Sequence, residues 1–402
     1  MEETEKRYVG LDVNKQFIMI AMVAKDQEVV MKPKRVEIHK FQQWAEKHIE
    51  KTDQVALESS TNAWWVHDCL KGIAGEIKVA NTHKVKMISA GNVKTDQRDA
   101  TILARLLAAG LLPDIWVPPQ EVRELRGLIA HRKRLVRDRS AAKNRLHSIL
   151  HRHSVALPVG DPFSKVNQSW WDQLALSTVE KLQIAHELKQ LAHLAEMIQD
   201  TDEQVAYLSV QDPWREQVAF LLQFTGIGLN SAMTILGAIG VIDRFPTAKQ
   251  LIGYSGLGAR VYASGQTHRT GKISKVGRRE LRRIMIECAW SAVSFSNHWK
   301  TDYERLTYRI GKMKAIVAIA RKLLVIIWKV LTKRMANHLE NLDKIKRSLM
   351  KWAETHRTAS KLGLKRPEFV KMELDRLEID VPIEKFRYAN KIYKMPHVVF
   401  AT

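Results

Sequence analysis

The chain has 402 residues, of which 45% are hydrophobic, and its 65 Lys and Arg against 43 Asp and Glu give a formal charge of +22. That excess attracts polyanions and drives binding through counterion release, so DNA or RNA is the expected partner; charge alone leaves open a ribosomal or generally sticky basic protein. Two cysteines, Cys69 and Cys288, with no Cys-x-x-Cys pair, argue against a disulfide framework or a cysteine zinc site and fit a reducing cytoplasm.

Residues 8–13, 17–23 and 28–38 alternate or run apolar between turn signals and are expected to form three antiparallel strands. A helix at 41–49, a strand at 55–58, a helix at 63–70, a strand at 77–80 and a helix at 99–109, closed by Gly110 with Pro113 beyond, follow. The fold class is therefore α/β plus α. Its N-terminal part is a mixed sheet with helices, an order found in ribonuclease-H-like folds.

Residues 119–153 form a long basic helix. Val122, Leu125, Ile129, Val136, Leu146 and Ile149 recur at helical spacing, while Arg132, Lys133, Arg134, Arg137 and Lys143 are among the cations on the remaining surface. Such an arm can pack as a coiled coil on one stripe and lie along phosphates on another. A Pro/Gly/Ser-bearing break at 158–172 precedes a returning helix at 179–208.

A third unit begins near Trp214. Phe224-Thr-Gly-Ile-Gly-Leu-Asn-Ser-Ala-Met-Thr-Ile-Leu236 has the glycine turn and small-residue helix of a helix-hairpin-helix, in which backbone N–H groups around Gly226 and Gly228 would meet a phosphate. An ordinary tight helix turn gives the same pattern. The densest basic stretch follows, with Arg260, Arg269, Lys272, Lys275, Arg278 and Arg279, then helices at 281–296 and 312–344. Within the latter, Arg321 and Lys322 interrupt the apolar run 315–328, which reads as a buried helix rather than a membrane span. The acidic start Met1-Glu-Glu-Thr-Glu5 lacks the features of a signal peptide. Nothing in 349–402 suggests chemistry. The expected domains are 1–115, 116–213, 214–336 and an accessory extension, 337–402.

Four carboxylates carry the chemical signal. Asp12 and Glu58 replace apolar residues inside runs that otherwise read as buried strand, where an unpaired charge is expensive. Asp96 and Asp99 sit in Lys94-Thr-Asp-Gln-Arg-Asp-Ala100 at i, i+3, on one face of a helix start. Singly, each has a structural explanation as a strand-end, ion-paired or capping acid. Together they form a cluster that would take up protons unless a cation neutralised it, which points to Mg²⁺ or Mn²⁺ and to phosphodiester chemistry. Ser264, in Val261-Tyr-Ala-Ser-Gly-Gln266, is a second candidate: most often Ser-Gly marks a turn, but here Arg260, His268, Arg269 and Lys272 could offset phosphorane charge.

Gly10-Leu-Asp-Val, Ala56-Leu-Glu-Ser, Lys94-Thr-Asp-Gln-Arg-Asp-Ala100, Thr225-Gly-Ile-Gly, Ser264-Gly265 and Gly271-Lys-Ile-Ser-Lys-Val-Gly277 together resemble the DEDD-type insertion-sequence transposases, the insertion-sequence one-ten family, across roughly residues 7–331. The resemblance implies a RuvC-like N-terminal domain, a coiled-coil arm and a C-terminal transposase domain. It implies Mg²⁺ on Asp12, Glu58, Asp96 and Asp99, and attack by Ser264 to give a phosphoserine linkage. It also implies donor and target DNA, a bridge RNA, a homo-oligomer (dimer or synaptic tetramer) and a bacterial, nucleoid-associated cytoplasmic location.

The expected function is thus a site-specific recombinase of a mobile element with a composite metal and serine site. One rival is a RuvC-like structure-selective nuclease using water, for which Ser264 is dispensable. The other is a non-catalytic basic nucleic-acid-binding protein, for which the acids are dispensable.

Overall fold

The structure, a computed structural model, describes residues 6–88, 95–265, 267–337, 340–379 and 385–394. The chain divides into two compact units, 1–118 and 119–402.

The first unit is built on strands β1 (Tyr8–Val13), β2 (Phe17–Val23) and β3 (Val29–Glu37), helix α1 (Phe41–His48), strand β4 (Gln54–Glu58), helix α2 (Ala63–Leu70), strand β5 (Glu76–Ala80), helices α3 (Thr82–Ile88) and α4 (Asp96–Ala108) and the short strand β6 (Asp114–Ile115). They make one six-stranded mixed sheet in the order β3-β2-β1-β4-β5-β6. β1 runs antiparallel to β2 and parallel to β4, and β4 runs parallel to β5. The mixed sheet with helices is the one expected, with α3 and β6 added.

Strand alternation sorts the side chains of the sheet into two layers. Val9, Leu11, Val13, Val55 and Leu57 face the main core with Phe41, Trp44, Val66 and Leu70 of α1 and α2. Tyr8, Ala56 and Ala80 face the other way, onto Leu103, Ala104 and Leu107 of α4. Asp12 and Glu58, in phase with Tyr8 and Ala56, therefore belong to the α4 face. Gly10 fixes how close that helix comes: a Cβ there would meet the Ala100 carbonyl oxygen at 2.0 Å and the Ala104 nitrogen at 2.6 Å.

The second unit opens with α5 (Gln120–Arg152), α6 (Gln168–Asp172) and α7 (Thr178–Leu208). α5 and α7 pack against each other, and Arg132 pairs with Asp202, Arg145 with Glu187 and His153 with Glu180. Numbers rise along one helix as they fall along the other, so the hairpin is antiparallel. Leu135, Leu194 and Ile198 pack in its middle, and Leu146, Ile149, Trp171 and Ile184 at its far end.

Helices α8 (Trp214–Leu222), α9 (Leu229–Ile239) and α10 (Ala248–Ser255) follow, then a hairpin of β7 (Ala259–Ser264) and β8 (Thr267–Ile273), then α11 (Arg279–Phe295), α12 (Asn297–Ile310) and α13 (Lys312–Lys333). α13 buries Ile316, Ile319, Leu323, Leu324 and Ile327 against α10, α11 and α12. Among the described residues no helix is long and apolar enough to cross a membrane.

The helix expected over 312–344 stops at Lys333. Arg334 turns left-handed at φ 49°, and the buried Gln223 side chain accepts the Asn337 N–H at 2.7 Å. That stop is made by a distant residue, so helical spacing could not show it. The extension continues as α14 (Leu342–Glu354), α15 (Thr358–Lys361), α16 (Arg366–Arg376) and a hairpin of β9 (Lys385–Tyr388) and β10 (Lys391–Lys394). It packs into the second unit: Trp352 is fully buried and donates its indole N–H to Ser209, and Glu373 meets Arg215 at 3.1 Å.

Candidate active site and nucleic-acid surfaces

The close approach at Gly10 positions the acids. From Ala100 back to Asp96 is about one helical turn, roughly 6 Å, and from Gly10 forward to Asp12 is also roughly 6 Å of strand. Tyr8 packs toward Leu103 and Leu107, so the helix runs back along the strand and its N-terminus reaches Asp12. In the parallel register Leu11 lies beside Leu57, which sets Asp12 next to Glu58.

Asp12 is only 5% exposed, on a strand buried throughout. Its carboxyl is pushed up from 3.8 to about 7, first by burial, then by a hydrogen bond and charge repulsion from Glu58, then by the charges of Asp96 and Asp99. The three other acids thus act on this one carboxyl. Thr95 caps α4, its hydroxyl accepting the Arg98 N–H at 3.3 Å, and Asp96 and Asp99 occupy the first turn. Asn14, outside the expected site residues, donates from its amide to Asp96 at 3.4 Å, and its backbone carbonyl accepts from Asn62 at 3.4 Å. Its place two residues beyond Asp12, just past the strand end, was the available signal.

Among the described residues no set of three or more His, Cys, Asp or Glu side chains stands in a closed metal-holding arrangement. The donor set itself fits a hard divalent cation: it is all carboxylate oxygen, and Asp12 carries a proton near neutrality where a cation would otherwise offset the charge.

Ser264 ends β7, paired across the hairpin with Thr267, and every residue of β7 is exposed. The pairing sorts its neighbours. Tyr262 and its partner Arg269 lie on the same side as Ser264, whereas His268, opposite Ala263, lies on the other. His268 is therefore turned away from the serine, and Arg269 lies on the serine's side of the hairpin.

The expected nucleic-acid residues divide by their partners. On α5, Arg132 is engaged with Asp202 at 2.5 Å and Lys143 lies 4.2 Å over the Phe163 ring. Lys133, Arg134 and Arg137 are exposed, Arg137 beside Asp138. Gly226, at φ 91°, is packed against α11, where a Cβ would meet the Ala292 nitrogen at 2.7 Å, while the Cβ position of Gly228 is open. Gly228 caps α9, whose N-terminus lines a cavity of about 340 Å³ with Asn230, Ser231, Lys351 and His356. Arg260, Arg269, Lys272, Lys275 and Arg279 are exposed, and Arg278 pairs with Glu280 at 3.2 Å.

The turn before α9 holds a long-range contact that no local sequence pattern marks. The Thr225 N–H and hydroxyl both donate to the Glu340 carboxylate, at 2.9 and 2.6 Å. A proline at 225 could not make the first of these bonds.

Comparison with known proteins matches both units. Residues 9–155 match the DEDD transposases of the IS110 type, described as "Transposase", and residues 218–304 match the "Transposase IS116/IS110/IS902 family". The chain is 26% identical over 283 residues to the transposase-named protein y4qE of Sinorhizobium fredii, covering 70% of this chain and 66% of that one. It is 22% identical to the transposase for insertion sequence element IS1533 of Leptospira borgpetersenii, covering 86% and 99% of the two chains. It is 24% identical to the pilin gene-inverting protein of Moraxella bovis, covering 81% and 96%. A DEDD transposase acts on DNA and implies a divalent metal. With an N-terminal DEDD, ribonuclease-H-like sheet and a mostly helical C-terminal transposase unit, the chain belongs to the IS110/IS116/IS902 family of transposases.

Proposed function

We propose that the protein cuts and rejoins DNA through a phosphoserine intermediate on Ser264, with a divalent metal, Mg²⁺ or Mn²⁺, held by Asp12, Glu58, Asp96 and Asp99. The observation that carries this reading is the convergence of four acids, with Asp12 set beside Glu58 by the β1–β4 register and the start of α4 brought to it by the close packing on Gly10, where the Asp12 carboxyl is pushed up to about 7. Such a cluster has a use where a cation and a phosphate meet. When bound, the metal supplies charge compensation at the scissile phosphate and lowers the pKa of an attacking hydroxyl.

This chain's own residues do the rest. The Ser264 oxygen forms a bond to phosphorus as the bond to one strand's ribose oxygen breaks; the serine gives up its proton and the departing oxygen takes one. Attack by a second strand's hydroxyl on the phosphoserine reverses the step and frees the serine, so no high-energy cofactor is needed. Arg269, beside Ser264 on the hairpin, meets the developing phosphorane charge. Asn14 orients Asp96. A relative named for inverting a pilin gene supports rejoining over hydrolysis, since an inversion restores every phosphodiester it breaks.

A bridge RNA from the same element is proposed as the guide, with the exposed cations of α5 and of 260–279 contacting phosphates, Gly228 at a helix-hairpin-helix turn, and the protein working as an oligomer. The test is denaturing gel electrophoresis of protein, RNA, Mg²⁺ and labelled element-junction DNA. A DNA-linked protein band that vanishes in Ser264→Ala supports the reading. Cleavage without any adduct, unchanged in the variant, leaves a metal-dependent nuclease using water.

A further inference from the structure

The last described segment of the chain is a ten-residue hairpin, Lys385-Phe-Arg-Tyr-Ala-Asn-Lys-Ile-Tyr-Lys394, with four cations and no acid. It lies outside both family matches. Its turn is tight, with Ala389 and Asn390 at φ 46° and 60°, the geometry whose twist suits a two-residue hairpin. The pairing is Lys385 with Lys394, Phe386 with Tyr393, Arg387 with Ile392 and Tyr388 with Lys391.

Alternation gives this ribbon two unlike faces. Phe386 is buried and stacks on Tyr393 at 5.6 Å, and the Tyr388 hydroxyl donates to Glu354 at the end of α14 at 2.9 Å. That face is the anchor. The other face presents Lys385, Arg387, Ile392 and Lys394, all exposed, and Lys391 is exposed at the tip. Lys385 and Lys394 stand directly across from each other. Like charges in that position destabilise a two-stranded ribbon, so the arrangement works against the hairpin's own stability and in favour of an anionic partner.

We infer that the outer face of the β9–β10 ribbon is a docking surface for the phosphate backbone of double-stranded DNA, seated at the major groove. Three features select this occupant. A two-stranded ribbon fits the B-form major groove, whereas the deep, narrow major groove of A-form RNA excludes it. Single strands are held by exposed aromatic rings on which bases stack, and here the rings are turned inward. With Ile392 the one apolar side chain on the face, there is no lipid-binding surface. The inference rests on the family's action on DNA, and it gives the C-terminal extension a part in holding that DNA independent of Ser264.

The test uses the full chain with Lys385→Ala, Arg387→Ala and Lys394→Ala combined, against wild type and against Lys385→Arg with Lys394→Arg. Affinity for duplex DNA is measured from low to moderate salt, with single-stranded DNA and duplex RNA as parallel arms. Each lost phosphate contact lowers the salt slope by about 0.9, so the triple variant is expected to lose between two and three units of slope on duplex DNA and to bind it at least tenfold more weakly. The arginine variant is expected to match wild type, and the other two arms to be unchanged. The altered side chains are exposed, so the unfolding temperature serves as the folding control. An unchanged slope on duplex DNA, with the Ser264 adduct intact, overturns the ribbon inference alone. Equal losses on all three nucleic acids overturn its specificity for duplex DNA, and absence of duplex affinity in the wild type overturns both readings.

Discussion

Gly10 of β1 lies directly beneath the Ala100 carbonyl of α4, with room for a hydrogen and nothing larger: a Cβ would sit 2.0 Å from that oxygen. Because the obstacle is backbone on a helix, relief requires the whole helix to lift. Lifting α4 withdraws Asp96 and Asp99 from Asp12.

Gly10→Ala is accordingly expected to destabilise the protein by about 1–3 kcal/mol, the usual range for overpacking a tight contact. It is also expected to abolish DNA cleavage even in the fraction that remains folded. Denaturant unfolding together with a cleavage assay checks both parts.

Asp12 sets a pH dependence whose sign follows from its raised value. In metal-free protein the folded state keeps a proton on Asp12 between 3.8 and about 7 that the unfolded chain has already lost. Stability therefore falls as pH rises through that window and levels off above it. Added Mg²⁺ or Mn²⁺ is expected to restore stability above pH 7. Asp12→Asn, nearly isosteric and uncharged, is expected to flatten the pH profile, raise the unfolding temperature of the metal-free protein at pH 8, and remove both activity and the stabilisation by metal. Thermal unfolding in chelator and in metal across pH 5 to 8 measures each part.

The Thr225–Glu340 contact closes the turn before α9 from 115 residues away. Glu340→Ala leaves the Thr225 N–H and hydroxyl without this partner, a loss of about 1–3 kcal/mol. In a double-mutant cycle with Thr225→Val, the two costs are expected not to add, since both variants break the same hydroxyl bond. Additive costs in denaturant unfolding would contradict a direct interaction.

On α5, neighbouring cations should separate by role. Arg132 is tied to Asp202, which also accepts from Asn230 on α9 at 3.0 Å. Arg132→Ala is expected to cost about 1–3 kcal/mol of stability, because it removes charge-assisted hydrogen bonds. Lys133→Ala, at an exposed position, is expected to leave stability within about 0.5 kcal/mol and to weaken nucleic-acid binding, lowering its salt slope by about 1.

What the sequence could show depended on whether the signal was local. Asp12 and Glu58 announced themselves because a charge interrupts an alternating strand, and the parallel register then sets them side by side. Asp96 and Asp99 announced a helix start. Their convergence on Asp12 depended on α4 crossing β1 at a glycine, a packing relation that no spacing rule contains. The β7–β8 hairpin was not legible because every residue of β7 is exposed and the segment lacks the apolar alternation that marks a strand against a core. The stop after Lys333 and the clasp on Thr225 were not legible because Gln223 and Glu340 act across more than a hundred residues of chain. The packing of the extension was not legible because its buried anchors, Trp352, Phe369 and Phe386, are separated by charged residues.

The central claim is that four acids hold one metal that serves one phosphodiester reaction. It is tested most directly by measuring strand-exchange product between two labelled DNA duplexes in the presence of the element's RNA, with Mg²⁺ or with chelator. The wild type would be compared with Asp12→Asn, Glu58→Gln, Asp96→Asn and Asp99→Asn, each first shown to be folded. Product is expected from the wild type in Mg²⁺ and not in chelator, with loss of product in every variant. Product that persists in Asp12→Asn, or in chelator, would contradict the claim.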